Sequence, residues 1–411
     1  MVYKQTYKHV PALRFPDFQN DGEWEVKRLG DCFTERVERN YIDLPLLSLT
    51  ESDGIVLQEE TNRKNNSNTD KSKYQRVCIG DIVYNTMRMW QGRCAFATIE
   101  GIVSPAYTIC KPNKDMHSLY FYYIFKTKQA IELFHKNSQG LVNDTLNLKY
   151  ENFAIINMSV PSLVEQKRIA AFLSSVDEMI AECINKLELL KSHKKGLMQK
   201  LFPVKGQKKP EFRFKEFEKD GEWENTELGD ITIVVNRRNK SRRNLPTYSV
   251  NNRVGFIPQS EQFDGLDSES RGYDTSMYKI VGKHTFAYNP ARINVGSIGY
   301  SGDLKEVLIS SLYVCFKTTE EIDDGFLMCF FNTSQFNKAV ENNVEGGIRS
   351  YLFYENFSRI KISIPSLSEQ KKIASTLLSI NNLMDGYAEK VLLLEEHKKG
   401  LMQRLFPRIN K

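Results

Sequence analysis

The chain has 411 residues, of which 41% are apolar and 26% charged, and this composition excludes fibrous and largely disordered proteins. The length is sufficient for two or three domains, each with its own core. A formal net charge of +6 is compatible with a nucleic-acid partner but does not require one, because many proteins carry so mild an excess of lysine and arginine.

The N-terminus and the cysteines bear on the compartment. The opening stretch MVYKQTYKHVPALRF lacks the apolar segment of a signal peptide, and no apolar run approaches the roughly 18 residues that cross a bilayer. The 7 cysteines are scattered singly, so neither a zinc site nor a disulfide framework is predicted. We therefore expect a cytoplasmic protein with no membrane partner.

The first recognisable segment, PALRFPDFQNDGEWEVKRLGD at 11–31, returns as PEFRFKEFEKDGEWENTELGD at 210–230. After each copy comes a body in which short apolar runs, such as IVYN and LYVCF, alternate with Gly, Asn and Ser turns. The stretch LYFYYIFKTKQAIELFHK at 119–136 is predicted to be helical. Each body is therefore predicted to be a compact α+β domain.

A second repeated segment is longer and makes the chain a tandem duplication. Residues 159–203 align without a gap on 363–407, and each copy ends in HKKGLMQ, then Lys or Arg, then LFP. The predicted boundaries are a first body at 1–158, a central helix at 159–203, a second body at 204–362 and a C-terminal helix at 363–411.

The two tails are predicted to be long helices. Ser162 with Glu165, and Ser366 with Glu369, have the spacing of capping boxes at the helix starts. Apolar residues then recur at alternating spacings of four and three over more than four heptads, which favours a coiled coil over helices packed on their own bodies. The residues predicted for this seam or for partner binding are Leu173, Ile180, Leu187, Leu190, Leu197, Leu201, Leu377, Met384, Val391, Leu394, Leu401 and Leu405.

A pseudo-twofold axis between the duplicated units would make the two helices antiparallel. The second tail would then end near the start of the first unit. Within the helices, Gly196 and Gly400 each cost about 1 kcal/mol relative to alanine. We therefore predict that a close neighbour approaches the backbone there, either the other helix or a partner subunit.

No catalytic centre is predicted. The sequence lacks the phosphate-binding GxxxxGK[ST] loop, the dinucleotide-binding GxGxxG motif and the metal-binding HExxH motif. The segment NPAR at 289–292 faintly resembles the catalytic loop of amino-methyltransferases. It lacks the second proline and the aromatic residue of that loop, so this interpretation is rejected.

Two basic loops and a repeated YNxxRxxxG motif are candidate DNA-binding sites. Lysine and arginine neutralise phosphates, and arginine or asparagine can contact base edges. The basic loops could equally be solvated, and the repeated motif could instead orient a turn. The predicted DNA-binding residues of the first body are Arg63, Lys64, Lys73, Arg76, Tyr84, Asn85 and Arg88. Those of the second body are Arg237, Arg238, Lys240, Arg242, Arg243, Tyr288, Asn289 and Arg292.

The duplicated GEWE and LGD openings, the variable bodies and the tails with PSL, EQK and HKKGLMQ motifs resemble the specificity subunits of type I restriction–modification systems. The resemblance covers essentially the whole chain. It implies that each body is a target recognition domain that reads one half of a bipartite site in double-stranded DNA. It also implies that the helices set the spacer between the half-sites and dock two methyltransferase subunits.

The same resemblance implies a chain without catalytic activity of its own and without a cofactor. S-adenosylmethionine, used for adenine methylation, is expected on the methyltransferase subunits. ATP and magnesium are likewise expected on partner subunits, with the motor–nuclease subunits joining through the methyltransferases. Two alternatives remain at this stage: a duplicated adaptor that binds protein partners only, and a self-sufficient methyltransferase, which the missing cofactor loop opposes.

Overall fold

The computed structural model describes residues 9–50, 54–61, 67–204, 206–252, 254–268, 270–344 and 351–407. The chain divides into two compact units: unit 1 comprises Met1–Ile184 and Ala388–Lys411, and unit 2 comprises Asn185–Tyr387. Each unit therefore contains one body, the start of the helix that follows it and the end of the other long helix. No helix among the described residues is long and apolar enough to cross a membrane.

Unit 1 is an α+β domain, as predicted. Its strands are β1 (Glu25–Arg28), β2 (Phe33–Glu35), β3 (Leu47–Leu49), β4 (Ile55–Leu57), β5 (Gln75–Val77), β6 (Ile82–Asn85), β7 (Cys94–Phe96), β8 (Gly101–Val103), β9 (Tyr107–Pro112) and β10 (Asn157–Val160). Its helices are α1 (Leu29–Cys32), α2 (Ser118–Phe125), α3 (Lys128–Asn137), α4 (Tyr150–Ala154) and the first part of α5 (Leu163–Leu201).

The main sheet of unit 1 has the strand order β2-β9-β6-β7, with all neighbours antiparallel. Its strand β6 is buried on both faces. Ile82 and Tyr84 pack into the larger core with helices α2 to α4, whereas Val83 packs into a smaller core with residues of β3, β4, β5 and β8. The sheet therefore lies between two apolar layers rather than presenting one face to solvent.

Unit 2 repeats this organisation with a larger second sheet. Its strands are β11 (Glu224–Glu227), β12 (Thr232–Val234), β13 (Thr247–Asn251), β14 (Gly255–Pro258), β15 (Lys279–Val281), β16 (Phe286–Tyr288), β17 (Ile298–Tyr300), β18 (Val307–Ile309), β19 (Val314–Thr318) and β20 (Lys361–Ile364). Its helices are α6 (Gln259–Gln262), α7 (Asp324–Phe331), α8 (Ser334–Asn343), α9 (Tyr354–Ser358) and part of α10 (Leu367–Leu405).

Two four-stranded sheets form the body of unit 2. The order β12-β19-β16-β17 is fully antiparallel, and in β14-β13-β18-β15 only β13 and β18 run parallel. In both units a separate antiparallel pair joins the start of the body to its end: Glu25 lies opposite Val160 in β1-β10, and Glu224 lies opposite Ile364 in β11-β20. The duplicated GEWE segments thus close each body next to its long helix.

The two long helices begin where the capping pattern predicts, but the predicted reciprocal cap is half wrong. The Ser162 hydroxyl accepts a hydrogen bond from the Glu165 backbone N–H at 3.3 Å, and Ser366 does the same for Glu369 at 3.5 Å. Neither glutamate carboxylate returns to the cap, because Glu165 binds Arg14 and Glu369 binds Arg213. The glutamates are buried anchors instead of surface caps.

The 39-residue helices α5 and α10 confirm the predicted tails, and the seam is buried most deeply towards their ends. In unit 1, Leu173 is fully buried and Leu405 is 2% exposed; in unit 2, Leu201 and Leu377 are each 1% exposed. Ile180 is 9% exposed. The remaining predicted seam residues Leu187, Leu190, Leu197, Met384, Val391, Leu394 and Leu401 are partly buried.

Within unit 1 the two helical segments run antiparallel. Lys398, before the last turns of α10, forms an ion pair with Asp177 partway along α5, and Leu405 shares a core with Leu173 nearer the start of α5. The backbone N–H of Leu13 also donates to the carbonyl of Arg404 at 2.9 Å. The second tail therefore ends beside the start of the first body, as predicted.

The glycines of the repeated helix phrase are not covered by the other helix. A Cβ atom added at Gly196 or at Gly400 would meet no heavy atom of the described residues within 4 Å. The prediction that the neighbouring helix approaches the backbone there is therefore wrong. The alternative prediction, a partner subunit at these glycines, remains untested.

Candidate nucleic-acid interface

The repeated YNxxRxxxG motif forms the same turn in both units. In unit 1 the Asn85 side-chain oxygen accepts a hydrogen bond from the Met87 N–H at 2.9 Å, and the Arg88 N–H donates to the Asn85 carbonyl at 2.9 Å. A short 3-10 turn follows and ends at Gly92, whose φ of 74° requires a left-handed backbone. Arg88 lies between these features and is exposed.

Unit 2 reproduces this geometry at the end of β16. The Asn289 side-chain oxygen accepts from the Ala291 N–H at 3.0 Å, and the Arg292 N–H donates to the Asn289 carbonyl at 3.0 Å. Gly296 ends the 3-10 turn with a φ of 82°. The arginines at the repeated position, Arg88 and Arg292, are both exposed, while the asparagines that build the turns are partly buried.

The tyrosines of the motif are not on the rim where the sequence analysis placed them. Tyr84 and Tyr288 are each 0% exposed and lie beside Phe153 and Phe357, with ring centroids 5.4 and 5.1 Å apart. Burial raises the pKa of both phenols, so both stay protonated. Because these strands are covered on both faces, neither tyrosine side chain can reach a ligand at the surface, and their assignment as DNA contacts is wrong.

The first basic loop is only partly described. Arg63 and Lys64 lie outside the described residues, and Lys73 is exposed. Arg76 donates to Glu100 at 2.7 Å and to Glu38 at 3.1 Å, and its guanidinium lies 4.6 Å from the centre of the Tyr41 ring. Arg76 is therefore neutralised within unit 1, which makes it a weaker candidate for phosphate contact than the sequence indicates.

The second basic loop is held in shape by Asn239, which is 0% exposed. Its side-chain oxygen accepts from the Arg243 N–H at 2.8 Å, and its amide donates to the Arg243 carbonyl at 3.0 Å. A buried asparagine with both groups satisfied fixes the loop backbone. The loop is therefore preorganised.

The five cations of this loop fall into two groups. Arg243 and Arg237 share Glu306, and these two guanidinium groups lower the pKa of the Glu306 carboxyl below its usual value. Arg238, Lys240 and Arg242 are exposed and form no ion pair with a described carboxylate. Arg238, Lys240 and Arg242 therefore remain available to an anionic ligand.

The structure does not join the basic loop of unit 2 to the repeated turn through any hydrogen bond or ion pair among the described residues. The loop pairs with β15, through the Ile280 N–H donating to the Arg237 carbonyl at 2.7 Å. The turn follows β16, which belongs to the other four-stranded sheet. They are separate candidate contacts on one unit.

Sequence analysis missed one loop that reaches the turn of unit 1. The Leu148 N–H donates to the Thr86 carbonyl at 2.8 Å, and the preceding loop is closed by reciprocal hydrogen bonds between Gln139 and Asn147 at 2.9 and 2.8 Å. At its tip Leu141 is fully exposed. The turn-forming residues Gly, Asn and Asp in this stretch were the available signal. The alignment of the two YENF segments places 343–351 of unit 2 opposite this loop, and 345–350 lie outside the described residues.

The buried thiols offer no reactive nucleophile. Burial raises the pKa of Cys94 to about 11, and it raises that of Cys32 and Cys315 to about 12 each. Among the described residues, no group of three or more His, Cys, Asp or Glu side chains could hold a metal ion. The surface chemistry of the described residues is that of cationic and amide groups.

The sequence profile of the family described as type I restriction modification DNA specificity domain matches residues 21–190 and 220–391, one copy in each half. The chain belongs to this family of type I restriction–modification specificity subunits. The duplication, the two bodies and the paired long helices are thus features of a known class of protein.

Individual relatives agree over the full length. The MjaVIII specificity subunit of a type I restriction enzyme from Methanocaldococcus jannaschii is 27% identical over 98% of this chain and 95% of its own length. A putative MjaX specificity subunit of the same organism is 26% identical over 98% of both chains. The crystal structure of a type I S subunit from M. genitalium has a TM-score of 0.58 at 14% identity, covering 98% of this chain and 100% of its own, which supports the fold.

Proposed function

We propose that each body reads one half of a bipartite site in double-stranded DNA. The observation that carries this proposal is the duplicated turn, which presents an exposed arginine, Arg88 or Arg292, from the same strand end in both units. Arginine is the side chain best suited to bidentate contact with guanine and to phosphate contact. The same scaffold carries different neighbouring residues in the two bodies, as expected if each reads a different half-site.

The long helices are proposed to fix the spacer between the half-sites and to dock two methyltransferase subunits. Both helices keep large apolar side chains exposed at equivalent repeat positions: Leu189 and Leu393 are 57% and 58% exposed, and Met179 and Leu383 are 44% and 55% exposed. Apolar residues exposed at repeated positions are typical of a surface that a partner covers. Two copies of the surface suit two identical partners.

In this proposal the chain supplies no chemistry of its own. S-adenosylmethionine is held by the methyltransferase subunits, which methylate adenine in each half-site, and the bases are extruded from the duplex there. ATP and magnesium serve the motor–nuclease subunits, which join through the methyltransferases. The residues of this chain bind, orient and measure the DNA.

The proposal is tested by mapping adenine methylation in DNA treated with the complex of this chain and its methyltransferase. We expect methylation confined to one bipartite sequence. Exchanging the body at 1–158 for the corresponding body of another family member should change one half of that sequence. A change in both halves, or sequence-independent methylation, would contradict the division of labour.

The spacer is tested separately. Deleting seven residues from each helix at equivalent repeat positions should shorten the unspecified spacer or abolish assembly. An unchanged site with full methylation would rule out the ruler. If the complex assembles but shows no affinity for DNA at any site, the chain would instead be an adaptor that binds proteins only.

A further inference from the structure

Unit 2 contains a large cationic groove outside the turn and the basic loop. It has a volume of about 1130 Å³ and lies between the last turns of α5, helix α8 and strands β11 and β20. Of its described lining side chains, seven are lysine or arginine, eight are asparagine or glutamine, and none is aspartate or glutamate. So many cations without an acidic counterpart are unusual for a surface that only meets water.

Most of these cations lack a partner. Lys191 pairs with Glu188 and Lys208 with Glu222, both on the protein surface. The other five form no ion pair with a described carboxylate. They are Lys194, Lys195, Lys338, Arg359 and Lys361.

Lys194 illustrates how the groove came to be unneutralised. Its repeat equivalent Lys398 forms an ion pair with Asp177, but the position equivalent to Asp177 in the second tail is Asn381. Lys194 stays partly buried near Cys329, where its ammonium group opposes the rise of the thiol pKa, which burial brings to about 11. A partly buried ammonium group without a carboxylate is costly unless an anion reaches it.

The groove is not a requirement of the fold, because unit 1 has other residues at three of its exposed cationic positions. Glu132, Ile155 and Asn157 of unit 1 occupy the repeat positions of Lys338, Arg359 and Lys361. A site for either of two identical subunits would be present in both units. The asymmetry therefore separates this groove from the repeated apolar positions of the helices.

We infer that the groove binds the phosphodiester backbone of double-stranded DNA next to the half-site read by unit 2. This inference rests on the proposed function. The α5 segment from Lys191 to Phe202 is about 16 Å long, and one DNA strand carries a phosphate every ~3.4 Å of axis. The groove therefore matches a short run of phosphates, which its ammonium, guanidinium and amide donors can all bind.

The location of α8 agrees with this assignment. Helix α8 packs against the 3-10 turn Ile293–Val295, which directly follows Arg292. Its first residue, Ser334, lines the groove, and the unpaired N–H groups of a helix N-terminus favour an anion. The candidate base-reading turn and the groove thus lie on adjoining elements, so a duplex held at Arg292 continues towards the groove.

The test replaces Lys338, Arg359 and Lys361 together by glutamine, in the full chain assembled with its methyltransferase. Affinity for a duplex containing the mapped site is measured over a range of salt concentrations. Each lost phosphate contact lowers the slope of log affinity against log salt by about 0.9, so we expect a decrease of two to three. The matched control replaces Lys215, Lys219 and Lys305, three exposed lysines outside the groove, by glutamine.

The expected result is a smaller salt slope and weaker binding for the groove variant, with the same methylated sequence and with the control unchanged. An unchanged slope with weakened assembly would overturn the inference in favour of an acidic segment of a protein partner. An unchanged slope with intact assembly would leave the groove to solvent and also overturn it. Failure of the proposed function itself would be visible in the parent complex as methylation without sequence preference.

Discussion

Arg14 and Glu165 form a bidentate ion pair, with Nε and Nη2 of the arginine each 2.8 Å from a carboxylate oxygen. The side chains are 8% and 1% exposed. A third arginine nitrogen, Nη1, donates to the carbonyls of Asp21 and Gly22 at 2.7 and 3.0 Å. One buried guanidinium therefore ties the GEWE opening of the body to the first turn of α5.

Arg213 repeats each of these contacts in unit 2, with Glu369 at 2.9 and 2.7 Å and with the carbonyls of Asp220 and Gly221 at 2.8 Å each. The duplicated RF, GEWE and EQK motifs are therefore explained by one packing arrangement. They are 151 and 156 residues apart in the two pairs, so no local pattern connects them.

Arg14→Ala should destabilise unit 1 by about 3–5 kcal/mol, because it leaves the buried Glu165 carboxylate unpaired. The measurement is the free energy of unfolding in urea, followed by a probe in unit 1. Lys27→Ala is the control, since its pair with Glu25 is exposed and is worth about 1 kcal/mol or less. Equal effects of the two substitutions would show that burial of the Arg14 pair does not matter.

Arg88→Ala and Arg292→Ala should each weaken DNA binding by about 1–3 kcal/mol, if the arginine contacts a base edge. Each variant should relax the sequence preference of one half-site and leave the other unchanged, so the two variants control for each other. The readout is the methylated sequence recovered from a randomised DNA pool. Relaxation of both half-sites by one substitution would contradict the proposed assignment.

The basic loop allows a comparison within nine residues. Replacing Arg238, Lys240 and Arg242 by alanine should lower the salt slope of DNA binding by up to about three contacts at ~0.9 each. Replacing Arg237 and Arg243 should lower it less, because both already pair with Glu306. The opposite ranking would show that the Glu306 pairs open when DNA binds.

Tyr288→Phe should leave DNA binding unchanged, because the tyrosine side chain is fully buried. Its hydroxyl has no hydrogen-bond partner among the described residues, so its removal should not lower stability and could raise it slightly. Thermal unfolding and DNA affinity are measured on the same preparation. A loss of affinity at unchanged stability would restore this tyrosine to the interface.

Gly196→Ala and Gly400→Ala should each stabilise the free chain, by up to about 1 kcal/mol, because alanine is the better helix former and the new methyl group meets open space. If a methyltransferase subunit approaches the helix backbone there, the same substitutions should weaken assembly. Stability of the free chain and affinity for the methyltransferase are therefore measured in parallel. Stabilisation with full assembly affinity would remove the glycines from the docking surface.

Much of the architecture could be predicted because it is encoded in contiguous patterns. The repeat, the helix starts at Ser162 and Ser366 and the four-three spacing of the seam each lie within one stretch of sequence. The antiparallel direction followed from the duplication alone. Predictions failed where one residue had two plausible partners: Glu165 fits a cap by spacing, but the guanidinium of Arg14 competes for it in the fold.

The sequence by itself determined that this protein is a tandem duplication with two long helices and cationic bodies, since repeats and periodicity are local properties. Only the tertiary structure decided which cations are free. Arg237 is neutralised by a glutamate 69 residues away, and the cations of the unit 2 groove come from segments far apart in the chain. Tyr84 is buried because β6 is covered on both faces, which a strand pattern cannot indicate when the second layer comes from distant residues.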